Sequence, residues 1–307
     1  MDVLSDILQT LRLRGTVYFH ARFHAPWGMR ISDGQIANFH LVTRGVCWVR
    51  SADDAPLVQL HSGDMVIFPT GRAHSLLCDE HGTTVPAKEL LSSPRAEESL
   101  SFGGEGAATT SLICGHFDYD RHCPHPLFEA LDAFIHIPRR QISDAASLST
   151  ISELAAQLSE QNQPGTHAVV DRLAEALFMQ ALAAHVASRQ DSAGFLSAMQ
   201  DRQLGSALNL MHGDIAREWT LAELARAASM SRSAFSARFR ALTGEPPMLY
   251  LARWRMLKAR ELLLDTTLSL GRISEKVGYR SEFAFSKAFK RLVGCAPGNI
   301  RRETVGI

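Results

Sequence analysis

Cysteine is scarce in this 307-residue chain: five residues, odd in number and scattered. That excludes a disulfide framework and points to a reducing cytoplasm. Long apolar runs are missing as well. None approaches the roughly 20 residues that span a bilayer, so no membrane partner is expected. The opening Met1-Asp2-Val3-Leu4-Ser5-Asp6-Ile7-Leu8 carries acid where a secretory leader carries base. Net charge is absent too, with 32 Lys and Arg against 32 Asp and Glu. That zero conceals two opposed halves. From residue 205 onward there are 17 basic and 9 acidic residues, which leaves 15 and 23 for residues 1–204. A basic half joined to an acidic one suggests that one half binds a polyanion. A solvated basic helix surface is the plainer alternative. Length and a 46% hydrophobic content suit a soluble protein of two domains, each with its own core.

What is present, above all, is a repeat. Trp219–Gly244 and Leu270–Gly294 both read as helix-turn-helix. Phe235, Phe239, Leu242, Gly244 and Pro247 recur 50 positions on as Phe285, Phe289, Leu292, Gly294 and Pro297. Upstream, Leu224 and Ala228 match Ile273 and Val277 at a spacing of 49. The one-residue slip falls where each copy needs its turn. Ser231 and Ser281 suit the N-cap of the second helix in each pair. Helical spacing then turns Phe235, Phe239 and Leu242 inward, and Ser233, Ser236, Ala237 and Arg240 outward. In the second copy Glu282, Phe283, Ser286, Lys287 and Lys290 face out, with Arg291 beside them. A helix of this kind fits the major groove and reads base edges near its N-terminal end. Arg240, Lys290 and Arg291 lie further along and suit phosphates. Glu282 suits either a cytosine or the helix start. A helical repeat that binds protein is the alternative.

Gly278-Tyr-Arg-Ser-Glu-Phe-Ala-Phe-Ser-Lys-Ala-Phe-Lys-Arg-Leu-Val-Gly-Cys-Ala-Pro-Gly-Asn-Ile-Arg301 resembles the C-terminal signature of AraC/XylS-family transcription regulators. The resemblance covers about 200–302. It implies two recognition helices in successive major-groove segments, joined by the helix 247–264. Ile300 stands where the family often has an aromatic residue.

Residues 15–120 read as β, with short Val-, Ile-, Phe- and Trp-rich runs between turn signals. Their close spacing suggests an antiparallel barrel or sandwich. Residues 79–109 read as a long loop and 110–115 as a strand. After Pro126 the period turns helical, at 148–159 and 167–187. These two helices could serve barrel packing, a homodimer interface, or both. Residues 188–198 are small and polar and read as linker.

Gly63-x5-Pro69-x-Gly71-x2-His74 is similar to the second motif of cupin barrels, and Gly34-x5-His40 to the start of the first. The first motif then departs from the pattern: Val42 replaces its second His, and its Glu is missing. The N-terminal half resembles the cupin sensor domain of one AraC-family branch, which includes an oxidant-sensing member. Under that alignment His40 and His74 face the barrel interior. Cys114 and His116, two apart on a strand, share a face. His122, Cys123 and His125 follow. Such N and S donors are open to Zn²⁺ or another transition metal. A cupin relic with buried, hydrogen-bonded histidines is the other reading. Cys114 also aligns with a cysteine position of the oxidant-sensing member and is open to thiol oxidation; a buried, inert thiol is its alternative.

The expected fold is therefore α+β and multidomain. A cupin-like sensor barrel spans 1–138, a helical dimerisation segment 139–190, a linker 191–199, and an AraC-type DNA-binding domain with two helix-turn-helix motifs 200–307. The expected function is sequence-specific transcription regulation, as a cytoplasmic activator and not an enzyme, controlled by a signal sensed in the barrel. The expected signal site is His40, His74, Cys114 and His116. Expected partners are double-stranded DNA, a second copy of the chain, RNA polymerase, and a small-molecule or oxidant signal. A metal-dependent cupin enzyme fused to a DNA-binding module, and a purely architectural DNA-binding protein, are the competing readings.

Overall fold

The structure is a computed structural model. It describes residues 2–10, 14–34, 36–51, 56–91, 101–106, 108–118, 127, 131–139, 146–159, 163–188 and 194–305. The chain divides into two compact units. One is drawn from Leu13–Tyr119 and Leu131–Ser188. The other is drawn from Met1–Arg12, Asp120–Ala130 and Arg189–Ile307.

The first unit is a curled, cupin-like sheet with one short and two longer helices among its described residues. Its strands are β1 (Arg14–His24), β2 (Gly28–Ile31), β3 (Ala37–Arg50), β4 (Val58–His61), β5 (Met65–Phe68), β6 (His74–Leu77), β7 (Val85–Pro86), β8 (Ser101–Gly103), β9 (Ala108–Asp118) and β10 (Ile135–Ile137). The main order is β7-β2-β6-β3-β9-β1-β8, with β4 and β5 also on β3, and β10 on β5. All pairings are antiparallel except two short ones at the edges, β1 with β8 and β2 with β7. The 14 residues of β3 make the curl. Its first half pairs with β5 and β9, and its second half with β4 and β6. Phe23, Trp27, Met29, Val49, Leu60, Val66, Phe68, Leu76 and Leu112 fill the interior. The stretch 79–109, read as loop, contains β7, a short helix α2 (Ala87–Leu91) and β8, whose Phe102 joins the interior cluster.

The helices α3 (Ala146–Ser159) and α4 (Thr166–Ser188) accompany the sheet. Phe178 of α4 packs at a tilt against Phe117, which stacks on Phe39, with centroids 4.5 and 4.6 Å apart. Asp171 and Glu175 of α4 accept hydrogen bonds from the backbone N–H groups of Val17 and Gly15, at 2.8 and 2.9 Å. These contacts cap strand amides that would otherwise lack a partner. Much of the apolar stripe expected to mediate self-association is thus used on the chain's own sheet. Leu154, Val169 and Met179 remain exposed.

The second unit is helical. It opens with α1 (Val3–Thr10) and continues with α5 (Phe195–Gln200), α6 (Arg202–Gly213), α7 (Leu221–Ala227), α8 (Arg232–Thr243), α9 (Pro247–Asp265), α10 (Leu270–Lys276), α11 (Glu282–Val293) and α12 (Pro297–Val305). Two features differ from the sequence expectation. The segment 195–199 is helix rather than linker, because Phe195 and Leu196 are buried in this unit. And α1, read as part of the 1–138 barrel, packs with α6 and α9 instead, with Asp6 buried among them.

The long helix α9 serves both halves of the repeat. Tyr250, Leu251 and Trp254 are buried toward its start. Met256, Ala259 and Leu263 pack with Ile273, Val277, Phe285, Phe289 and Ile300. Ile300 therefore fills its position in the second core without an aromatic ring.

Candidate functional site

The helix pairs α7–α8 and α10–α11 are built by the same local rules. Thr220 and Glu223 form a capping box at the start of α7, and Ser269 caps α10. After α7 the chain turns at Ser229, φ 53°, and after α10 at Gly278, φ 78°. Met230 N–H donates to the Ala225 carbonyl, and Tyr279 N–H to the Ser274 carbonyl, closing the same C-terminal motif. Ser229 and Gly278 are 49 apart, whereas the next caps, Ser231 and Ser281, are 50 apart. The slip in the repeat is thus one extra turn residue in the second copy. Ser231 and Ser281 accept from the N–H of Ala234 and Ala284, both at 3.2 Å. Phe235–Phe239 and Phe285–Phe289 have the same geometry, with centroids 5.6 Å apart and planes at 57°.

With those phenylalanines inward, the outward faces follow. Ser233, Ala237 and Arg240 of α8 are exposed and Ser236 is half-buried; Glu282, Phe283, Lys287, Lys290 and Arg291 of α11 are exposed and Ser286 is half-buried. Among the described residues, Arg240, Lys287, Lys290 and Arg291 form no ion pair with a carboxylate. Glu282 differs. Its Oε2 lies 3.4 Å from where a Cβ on Gly271 would stand, over the first turn of α10. That suits a helix-start charge better than a cytosine contact.

In the sheet unit, the two cupin-like motifs meet at their glycines. Gly34 N–H donates to the Gly71 carbonyl at 2.9 Å. Gly71 has φ +69°, and a Cβ there would lie 2.4 Å from the Ile36 carbonyl oxygen. Only glycine allows that approach. The motifs bring His40 and His74 inside, and β9 supplies Cys114 directly opposite His40. His40 Nδ1 lies 3.0 Å from Cys114 Sγ, and His40 Nε2 lies 2.8 Å from His74 Nε2. His74 Nδ1 lies 2.8 Å from the Arg72 carbonyl oxygen. That carbonyl can only accept, so His74 Nδ1 holds the proton and its Nε2 is a lone pair. His40 must then donate from Nε2 and accept at Nδ1 from the Cys114 thiol. Every proton in this row has one direction. Phe68 lies flat on His74, with centroids 3.6 Å apart, and fixes its plane.

The row is also neutral. Burial, then the neighbouring His74, holds His40 well below the usual imidazole value. Burial pushes His74 down to about 4, against the pull of the Arg72 carbonyl. Burial pushes the Cys114 thiol well above its ordinary value. A thiol kept in this form is a weak nucleophile.

Three of the four expected signal residues are thus brought together. The fourth, His116, lies two residues along β9, with its Nε2 3.0 Å from Asp118 Oδ2 and its ring stacked on Tyr18. Asp118, at the strand's end, supplies a closer partner than the row does. His122, Cys123 and His125 lie outside the described residues. The Arg72 carbonyl and the Phe68 ring were not foreseen. A backbone acceptor leaves no mark in a sequence, though Phe68 stands within the 63–74 motif.

The donors do not fit a metal centre as arranged. An imidazole gives one nitrogen to a given ion, and His40 directs one to each neighbour. Zinc needs three or four donors converging on one point. Among the described residues no three His, Cys, Asp or Glu side chains converge in that way.

Comparison with known proteins agrees with both units. A cupin family description matches residues 2–187, and a helix-turn-helix domain description matches 224–303. A putative AraC-like transcription regulator of Streptomyces antibioticus is 31% identical over 304 residues, covering 99% of each chain. The RCS-specific transcriptional activator RclR of Escherichia coli is 25% identical, covering 99% of this chain and 98% of its own. Among solved structures, an AraC-type transcriptional regulator from Chromobacterium violaceum is 25% identical with a TM-score of 0.34, over 36% of this chain and 97% of that one. With its cupin unit and its doubled helix-turn-helix, the chain belongs to the AraC-like transcription regulators.

Proposed function

We propose that this DNA-binding regulator is controlled by a small molecule bound in the cupin barrel, beside the Cys114–His40–His74 row. The observation that carries this reading is a polar row, directional and neutral, in an otherwise apolar interior. A ligand with a hydrogen-bonding group could replace one link and reverse or break the others. The buried, protonated thiol favours a bound ligand over direct oxidation of Cys114. Such binding reaches DNA only by favouring one state of the chain over another. In this reading α8 and α11 enter the major groove, with Ser233, Ser236, Ala237, Phe283, Ser286 and Lys287 toward bases and Arg240, Lys290 and Arg291 toward phosphates.

The working form is a cytoplasmic homodimer associating through α3 and α4, where Leu154, Val169 and Met179 are exposed. It activates transcription, a role supported by the E. coli relative's being a transcriptional activator, and it does so by contacting RNA polymerase and performs no catalysis.

The test uses the full chain. A random-pool selection should yield a defined, salt-sensitive site. A reporter on the native promoter, screened across oxidants and small ligands, identifies the signal. Cys114→Ser and His74→Ala should then alter the response. A response like that of wild type in both variants would place the signal site elsewhere.

A further inference from the structure

The two recognition helices differ where they would meet base edges. At positions 50 apart, Arg232 becomes Glu282, Ser233 becomes Phe283, and Ala237 becomes Lys287. Phe283 stands out. It is 80% exposed, and the next most exposed large hydrophobic side chain among the described residues is Tyr18 at 55%. It is the second residue of α11, two after the N-cap Ser281. Phe285 and Phe289 are fully buried and hold the opposite face of the helix. A helix advances about 100° per residue, so Phe283 is held outward by a rigid frame and not by chance of rotamer. Glu282 beside it is turned toward α10.

A benzyl group neither donates nor accepts a hydrogen bond. In the major groove the apolar feature offered by a base edge is the C5-methyl of thymine. We propose that Phe283 reads a thymine methyl in the DNA segment entered by α11. This rests on the DNA-binding reading above and adds to it a named base and a named atom group. The first copy, with Ser233 at the matching place, has no such requirement, so the two segments of the site are read by different chemistry.

The experiment is a methyl deletion in the DNA. The full chain first selects its site from a random pool. Each thymine of that site is then replaced singly by deoxyuridine, which lacks the methyl, and affinity is measured for wild type and Phe283→Ala. Wild type should lose about fourfold at one position, the equivalent of about 0.8 kcal/mol for one buried methyl. Phe283→Ala should lose nothing further at that position while still responding to changes in the segment read by α8. At the same position, 5-methylcytosine should bind wild type better than cytosine does. Equal sensitivity of the two proteins to every deoxyuridine would overturn the assignment and leave Phe283 to another partner, such as a protein surface. Selection of no sequence at all by the full chain would overturn the DNA-binding reading, and this inference with it.

Discussion

Asp6 and His212 stand 206 positions apart in the chain, and their side chains are 2.8 Å apart in the fold. Asp6 Oδ2 accepts from His212 Nδ1–H and, at 3.1 Å, from Trp254 Nε1–H. Lys258 Nζ lies 2.9 Å from the other carboxylate oxygen. His212 Nε2 accepts from the Tyr250 hydroxyl at 2.7 Å. Burial lowers the pKa of His212 despite Asp6, so the imidazole is a neutral link and Lys258 is the counter-charge.

Removing Asp6 leaves the buried N–H donors of His212 and Trp254 without their acceptor and takes from the half-buried Lys258 one of its two carboxylate partners, the other being Glu261. Asp6→Ala should destabilise the helical unit by about 3–5 kcal/mol. Chemical denaturation followed through Trp254 fluorescence reads this. The carboxyl also sets a pH limit. Burial raises its pKa, but hydrogen bonds from His212 and Lys258 and the charge of Lys258 outweigh that and leave it below the ordinary 3.8. Its contribution is therefore complete above about pH 4 and is lost only as pH falls through the folded value. A variant that keeps wild-type stability at pH 7 would count against the network.

The barrel row should respond at milder acidity. His74 is a base whose folded pKa, about 4, lies below its ordinary 6.5. The unfolded chain therefore takes up a proton first as pH drops. Stability should be level above about pH 7 and should fall by a few kcal/mol between pH 6.5 and 4. Amide hydrogen exchange in β3 and β9 at pH 7 and pH 5 isolates the effect, and His74→Gln should flatten it. Unchanged exchange would mean that the row is more hydrated than its burial indicates.

The paired turns predict opposite signs for two small substitutions. Ser229 holds a left-handed conformation that costs a side-chain-bearing residue about 1–2 kcal/mol. Ser229→Gly should raise stability by about 1 kcal/mol after the entropy cost of glycine. Gly278→Ala should lower it by about 2 kcal/mol or more. Its Cβ would meet the Ala216 carbonyl oxygen at 2.6 Å and the Arg255 guanidinium at 2.7 Å. Thermal unfolding of the two variants side by side decides this.

Base and phosphate roles separate in site selection. Lys287→Ala and Ser236→Ala should relax preference at particular positions, at about 1–3 kcal/mol for a good contact. Arg291→Ala should weaken all sequences alike and flatten the salt dependence. Uniform losses from all three would mean that the outward faces are assigned wrongly.

Much of the helical half could be read in advance because its rules are local. Ser231, Ser281, Gly244 and Gly294 mark helix ends through their own backbone needs, and the phenylalanine pairs repeat a single spacing. His40 and His74 were legible through their spacing from Gly34 and Gly71, which resembles the cupin motifs; of the two glycines, Gly71 is the one the backbone requires, at φ +69°. Cys114 was legible through strand alternation and the family resemblance, while its place opposite His40 comes from the register of β3 with β9. His116 shares its alternation, yet Asp118 two residues on competes for its ring, and alternation carries no information about such competition. The segment 195–199 looked like linker because Ser197 and Gly194 are weak helix formers, while burial of Phe195 and Leu196 decides its state. Least legible was α1. Eight residues with a single inward acid resemble any surface helix, and nothing near Asp6 indicates partners more than 200 residues away.

That distance has a consequence for synthesis. Asp6 leaves the ribosome 248 residues ahead of Trp254. At about 5–20 residues per second the wait is on the order of 10–50 s. For most of that interval the barrel strands are made and can close, while the first helix has neither α6 nor α9 to dock on. The helical unit is therefore finished from both ends of the gene, and a nascent chain that stalls before residue 202 presents an unpartnered α1 to whatever quality-control machinery meets it.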